Sequence, residues 1–133
     1  MIGALVVSHG QLAQELVAAA EMIVGEIAHI HPVSIGWHDD VNDASKEIAR
    51  RIGDADSGSG VLILTDMFGG TPSNIALSFH EPGKVDIVTG VNLPMIIKIA
   101  NQQKEGETLE SLARSVRDQG RTSITLASDF IRP

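Results

Sequence analysis

VLILTDMFGGTPSN, residues 61–74, decides the architecture. Val61 to Thr65 is an unbroken run of strand length, rich in β-branched residues and without an alternating polar face, which suits a strand covered on both sides. A loop follows, and then Thr71 and Pro72 supply an N-cap and a proline at the first helical position, opening a helix predicted to reach about His80. Strand, short loop, helix is the repeating unit of an α/β fold with parallel strands.

The same unit recurs on either side. Ile2 to Ser8 is a second, nearly continuous apolar run, followed by Leu12, Leu16, Ala19 and Ile23 at helical spacing, with Gly25 placed to end the helix. Ala28 to Gly36 reads as a strand whose Pro32 cannot donate to a ladder, which predicts a position near a sheet edge. Asp40 can cap a helix with the apolar stripe Val41, Ala44, Ile48 and Ile52. The stretch DADSGSG at 54–60 is short and bounded by strong structure, and reads as a turn. Downstream, EPGK at 81–84 makes another turn, Val85 to Val88 is a fourth strand, and Pro94 opens a helix through MIIKIANQQK. Thr108 can cap LESLARSVRDQG, with Leu109, Leu112 and Val116 on one face, and Ile124 to Ala127 is a last short strand. The prediction is one α/β domain over residues 1–133, a doubly wound, mainly parallel sheet with helices on both faces.

Composition bounds what such a domain does. A chain of 133 residues with 43% hydrophobic residues can fill one core, and the lack of cysteine removes disulfides, thiolate metal sites and Cys nucleophiles. A formal net charge of −7 disfavours nucleic acid and anionic lipid as partners. Aromatic residues at 3%, with no tyrosine, argue against base-stacking platforms. The N-terminus has no basic region, and its apolar run is too short for a signal peptide or a membrane span, so residence in the cytoplasm without membrane insertion is expected. There is no G-x-G-x-x-G after the first strand, no G-x-x-x-x-G-K-[ST] and no G-x-S-x-G, so no nucleotide or other large cofactor is expected.

In a parallel α/β sheet the functional groups sit in loops at the carboxyl ends of the strands. His9 falls where the first strand stops and the first helix begins. Gly10 lets the chain turn tightly there, and the helix amides beyond it are donors suited to an anion carried on the imidazole. Position alone does not separate this from an ordinary loop histidine. Asp66, at the end of the third strand, shares the rim with His9. A carboxylate on one ring nitrogen fixes the tautomer, leaves the other nitrogen free to attack, and stabilises the cation that forms; the plainer alternative is a carboxylate capping loop amides. Gly69, Gly70 and Thr71 lead into a helix N-terminus and offer amides and a hydroxyl to phosphate oxygens, although a Gly-Gly pair is often only a turn.

Met67 and Phe68 lie between Asp66 and the glycines. Each alone suggests core packing; together, if exposed, they suggest a docking surface for a protein, which Trp37 in the loop after the second strand would extend. His29, His31 and His38 raise the alternative of a small metal-binding domain, against which stands a polar, solvent-facing edge strand; no metal is expected. His80, near a helix C-terminus, is favourably placed there for electrostatic reasons alone.

VVSHG in the first strand and turn, LTDMFGGTPSN after the third strand and TGVNLPM after the fourth resemble the enzyme IIA domain of the mannose-type bacterial phosphotransferase system. The likeness runs in order from Ile2 to about Ser128, and the combination of three motifs is specific. It implies that His9 is the phosphorylated residue, at Nε2, with Nδ1 bonded to Asp66 and with Gly69 to Pro72 as the segment that follows. It further implies the phosphocarrier protein HPr as donor, a IIB protein as acceptor, and a homodimer formed by exchanging a C-terminal antiparallel edge strand, here Ile124 to Ala127. Many members continue through an Ala/Pro-rich linker into a IIB domain. This chain ends at Pro133, so a stand-alone IIA protein is expected, either a carrier serving sugar uptake or a regulatory module whose partners read its phosphorylation state.

Overall fold

The computed structural model describes residues 1–36, 40–101 and 103–131. Four strands, β1 (Gly3–His9), β2 (Ile30–Ile35), β3 (Val61–Thr65) and β4 (Val85–Thr89), form one sheet in the order β2-β1-β3-β4, and every neighbouring pair is parallel. The helices are α1 (Leu12–Val24), α2 (Val41–Ala55), α3 (Thr71–Leu77), α4 (Leu93–Asn101) and α5 (Leu109–Thr122).

Alternation along the buried strands sorts the core into two layers. Ala4, Val6, Leu62 and Leu64 face α1, α4 and α5, whereas Leu5, Val7, Val61 and Ile63 face α2 and α3. The expectation of a sheet with helices on both faces is met, and β1 and β3, which read as apolar throughout, are the two central strands. Pro32 sits in β2 at the sheet edge, where its missing N–H leaves no ladder bond unmade. Asp40 caps α2 by accepting from the amides of Asn42 and Asp43, and Thr108 caps α5 by accepting from the Ser111 amide, both at the expected positions. Among the described residues no helix is long and apolar enough to cross a membrane.

Three expectations need correction. Gly70, not Thr71, is the N-cap of α3, and Thr71 is its first helical residue. The helix ends at Leu77 instead of continuing to His80: the Ser78 hydroxyl donates to the Ile75 carbonyl at 2.6 Å, and the amides of Ser78, Phe79 and His80 each bond three residues back, tightening the last turn until it closes. The strand expected over residues 124–127 does not form. Residues 124–126 are irregular, and Ala127–Asp129 make a turn of 3-10 helix. A strand needs a partner, and this segment follows directly from α5 without reaching the ladder of its own sheet. The C-terminal antiparallel edge strand is therefore absent from the fold of the chain by itself.

Candidate functional site

The strand order creates a crevice. The chain leaves β1 through α1 on one face of the sheet and leaves β3 through α3 on the other, so the adjacent carboxyl ends of β1 and β3 are a topological switch point. Val7 pairs with Thr65 across these strands. Two residues further along β1 stands His9, and one residue beyond β3 stands Asp66.

The two side chains meet. Asp66 Oδ2 lies 2.7 Å from His9 Nδ1 and also accepts the His9 main-chain N–H at 2.9 Å. Its other oxygen, Oδ1, accepts the Met67 amide at 2.9 Å. Three donors thus converge on one carboxyl group. Burial pushes the Asp66 carboxyl up, but the hydrogen bonds from the His9 amide and ring, the charge on that ring and the Met67 amide together outweigh it and hold the group below the ordinary aspartate value. Asp66 is accordingly a carboxylate at neutral pH and can only accept, so in the neutral ring Nδ1 carries the proton and Nε2 keeps its lone pair. The Asp66 side chain is 10% exposed and that of His9 is 54% exposed: the carboxylate is largely inside and the imidazole is open to solvent.

The glycines around the ring differ in kind. Gly70 has φ −84°, open to any residue, yet a Cβ there would lie 2.9 Å from His9 Cε1 and 3.5 Å from Nε2. It is glycine because the ring occupies the space. Gly69 is the reverse: φ is +89° and a Cβ would meet nothing within 4 Å, so backbone conformation alone selects glycine there. Gly10, at φ +53°, also makes a turn. Its amide donates to the Ile35 carbonyl at 3.0 Å, so that donor is already engaged within the fold. The Ala13 amide in the first turn of α1 is likewise engaged, by the Ser8 hydroxyl at 2.7 Å. The expectation that the α1 amides stand free for an anion is narrowed by the second of these bonds. On the α3 side, Asn74 N–H closes the first turn on the Gly70 carbonyl, and Thr71 is exposed beside the ring-contacting glycine.

Met67 is 55% exposed and Phe68 73% exposed, so neither packs in the core. Leu12, at the start of α1, is exposed as well. Trp37 and His38 lie outside the described residues. His29 does not share a strand face with His31, because β2 begins at Ile30, and its Nε2 lies 3.3 Å from the Ile99 carbonyl. Among the described residues no group of three or more His, Cys, Asp or Glu side chains converges as a metal ion requires. His80 Nε2 lies 3.9 Å from Asp86 Oδ1, well away from the His9 rim.

Sequence reasoning passed over Ser8. It is fully buried, and it both accepts the Ala13 amide and donates to the His9 carbonyl at 3.0 Å. The available signal was a hydroxyl at the end of an otherwise apolar strand, directly before the histidine.

The family model described as PTS system fructose IIA component matches residues 3–117. The fructose-specific EIIA component of Bacillus subtilis (strain 168) is 27% identical over 132 residues, spanning 98% of this chain and 90% of that protein. The solved mannose/sorbose specific IIA subunit of the phosphotransferase system from Enterococcus faecalis is 31% identical, with a TM-score of 0.84 over 94% of this chain and 93% of that one. The phosphotransferase system component EIIA from Streptococcus agalactiae, at 23% identity, shares the fold with a TM-score of 0.87 over 97% of this chain and 99% of its own.

Proposed function

The chain belongs to the IIA components of the sugar phosphotransferase system, and on that premise we propose that it is a phosphoryl carrier in which His9 accepts a phosphoryl group from HPr and passes it to a IIB protein. The observation that carries this reading is the 2.7 Å contact between Asp66 Oδ2 and His9 Nδ1, which leaves Nε2 as an exposed nucleophile.

In the accepting step the Nε2 lone pair attacks phosphorus, and the donor nitrogen takes back the electron pair of its phosphorus–nitrogen bond. The proton on Nδ1 stays in place, and the positive charge that develops on the ring faces the Asp66 carboxylate. Passing the group on reverses the roles: the acceptor attacks phosphorus, and His9 recovers its lone pair. Phosphoryl transfer asks a protein mainly for positioning and for charge stabilisation, and Asp66 supplies both. Gly70 leaves room beside Nε2, and the amides of Gly69, Gly70 and Thr71 with the Thr71 hydroxyl are the groups that receive the phosphoryl oxygens. No lysine or arginine lies in the 65–71 loop or beside His9 in the sequence. The group is held by dipoles and stays transferable. Exposed Met67 and Phe68 form the apolar contact beside the ring for the successive partners.

The same reading places the protein in the cytoplasm, with HPr and IIB, and extends to a homodimer. Ile124, Leu126, Phe130 and Ile131 are exposed apolar residues in a tail without strand pairing, and β4 is an open sheet edge flanked by a groove along α5 lined by Val88, Thr89, Arg117, Gly120 and Arg121. Antiparallel addition of one copy's tail to the other's β4 covers both.

The test is incubation with enzyme I, HPr and phosphoenolpyruvate. An acid-labile, base-stable modification is expected on the parent and not on His9→Ala; equal labelling of the two would overturn the assignment. Onward passage to a IIB protein separates a transport carrier from a module read by non-transport partners.

A further inference from the structure

His9 is held from both sides of its own backbone, and only one of the holders is Asp66. Its main-chain N–H donates to Asp66 Oδ2 at 2.9 Å, whereas its carbonyl accepts from the Ser8 hydroxyl at 3.0 Å. That hydroxyl in turn accepts the Ala13 amide at 2.7 Å. The amides of a helix's first turn have no partner within the helix, and here one of them is satisfied by a strand residue five positions earlier. The next residue of α1 is tied in as well: the Ser34 hydroxyl of β2 donates to Gln14 Oε1 at 2.6 Å, and Ser34 pairs with Ser8 across the sheet. The first turn of α1 is thereby pinned to the ends of β1 and β2, and the peptide that follows His9 is pinned with it.

Ser8 is fully buried in a strand whose other inward positions are Ala4, Leu5, Val6 and Val7. A hydroxyl is out of place among them unless its two hydrogen bonds are wanted. We propose that Ser8 is a positioning residue for phosphoryl transfer: its hydroxyl locks the His9 carbonyl to the α1 N-terminus, so that the ring can make its bond to Asp66 without searching rotamers and present Nε2 beside Gly70. The inference rests on His9 being the phosphoryl acceptor. Asp66 sets the ring's tautomer, and Ser8 holds the backbone from which the ring is aimed. Removing the hydroxyl leaves the Ala13 amide without its acceptor and leaves the His9–Gly10 peptide held by its Gly10 N–H alone, which donates to the Ile35 carbonyl.

The experiment compares Ser8→Ala, Ser8→Cys and Ser8→Thr with the parent in two readouts. The first is the single-turnover rate of phosphorylation by phospho-HPr. The second is the ring ¹⁵N spectrum of His9 in the unphosphorylated protein, which reports the fraction of ring protonated on Nδ1. Ser8→Ala is expected to slow phosphorylation roughly tenfold, the scale of a small misplacement of a reacting group, and to mix the two tautomers. Ser8→Cys, which keeps the volume but bonds weakly, is expected to follow Ala, and Ser8→Thr, which keeps the hydroxyl, to return to within about threefold of the parent rate. Parental rate and spectrum in Ser8→Ala or Ser8→Cys overturn the proposal. So does a folded Ser8→Thr that is as slow as Ala, since the hydroxyl would then not be what matters. If the parent itself takes no phosphoryl group, the reading of His9 fails, and the ¹⁵N arm still decides the role of Ser8.

Discussion

Asp66→Asn isolates what the carboxylate does, because it replaces one oxygen by an NH₂ group and changes almost no volume. In the parent, Oδ2 takes two donors from His9 and Oδ1 takes the Met67 amide. An asparagine has one oxygen and one NH₂, so whichever way the amide is turned, a donor faces a donor. With the oxygen toward His9, the ring keeps its tautomer, and NH₂ is set against the Met67 amide. With NH₂ toward His9, it opposes the His9 amide and drives the ring proton to Nε2, which abolishes the nucleophile. Even in the better orientation the negative charge is gone. Two unit charges about 4 Å apart attract by about 1 kcal/mol in water and about 4 kcal/mol at the effective dielectric of a protein surface. The ring is 54% exposed and the carboxylate only 10%, so a value near the middle, about 2–3 kcal/mol, is apt. This corresponds to a slowing of about 30- to 150-fold in phosphoryl acceptance. The assay is rapid-quench phosphorylation by phospho-HPr at neutral pH, with circular dichroism and thermal melting to establish that the variant is folded. A folded Asp66→Asn protein phosphorylated within twofold of the parent rate would show that neither charge nor tautomer control comes from this residue.

Other perturbations probe separate parts of the same geometry. Gly70→Ala puts a methyl group 2.9 Å from His9 Cε1 and is expected to cut phosphorylation by about tenfold or more with little change in melting temperature, because the ring or the loop must move aside. Gly69→Ala meets no atom but forces alanine to φ +89°, so it should lower stability by about 1–2 kcal/mol in urea unfolding and leave the folded protein's transfer rate nearly intact. The reverse pattern would refute the distinction between the two glycines. Because the Asp66 carboxyl is held below its unfolded-state value, the stability it contributes is full above that unfolded value and is lost as pH falls through the folded one. The stability gap between parent and Asp66→Asn should therefore close only at pH below about 5; a gap that has already closed at about pH 5 would contradict this. Deleting the chain after Ser123 removes Ile124, Leu126, Phe130 and Ile131 and is expected to convert the proposed dimer to a monomer in sedimentation; a truncated protein that still dimerises would place the interface elsewhere.

Much of this protein is written locally. The apolar runs of β1 and β3, the stripe of α5, the caps at Asp40 and Thr108 and the edge position implied by Pro32 follow from side-chain periodicity and from which backbone groups a residue can satisfy. His9 and Asp66 could be placed on the rim by sequence, since each follows a buried strand. Other features have no local signal. The C-terminal segment carries β-branched residues but forms no strand, because strand formation depends on an available edge and not on propensity alone.

The fold class, the direction of the strands and the two residues at their ends were determined by the linear pattern of apolar and turn-forming residues, which acts over a few neighbours at a time. Only the tertiary structure decided that β1 lies against β3, bringing together side chains 57 positions apart in the chain. It also decided that one carboxylate oxygen serves the main-chain N–H and the ring Nδ1 of His9, that Gly70 is small to make room for a ring, and that Ser8 ties the histidine to its helix. Strand pairing and close packing are relations between distant segments, and their distances are set by the whole sheet and its two helical layers, so no window of sequence contains them.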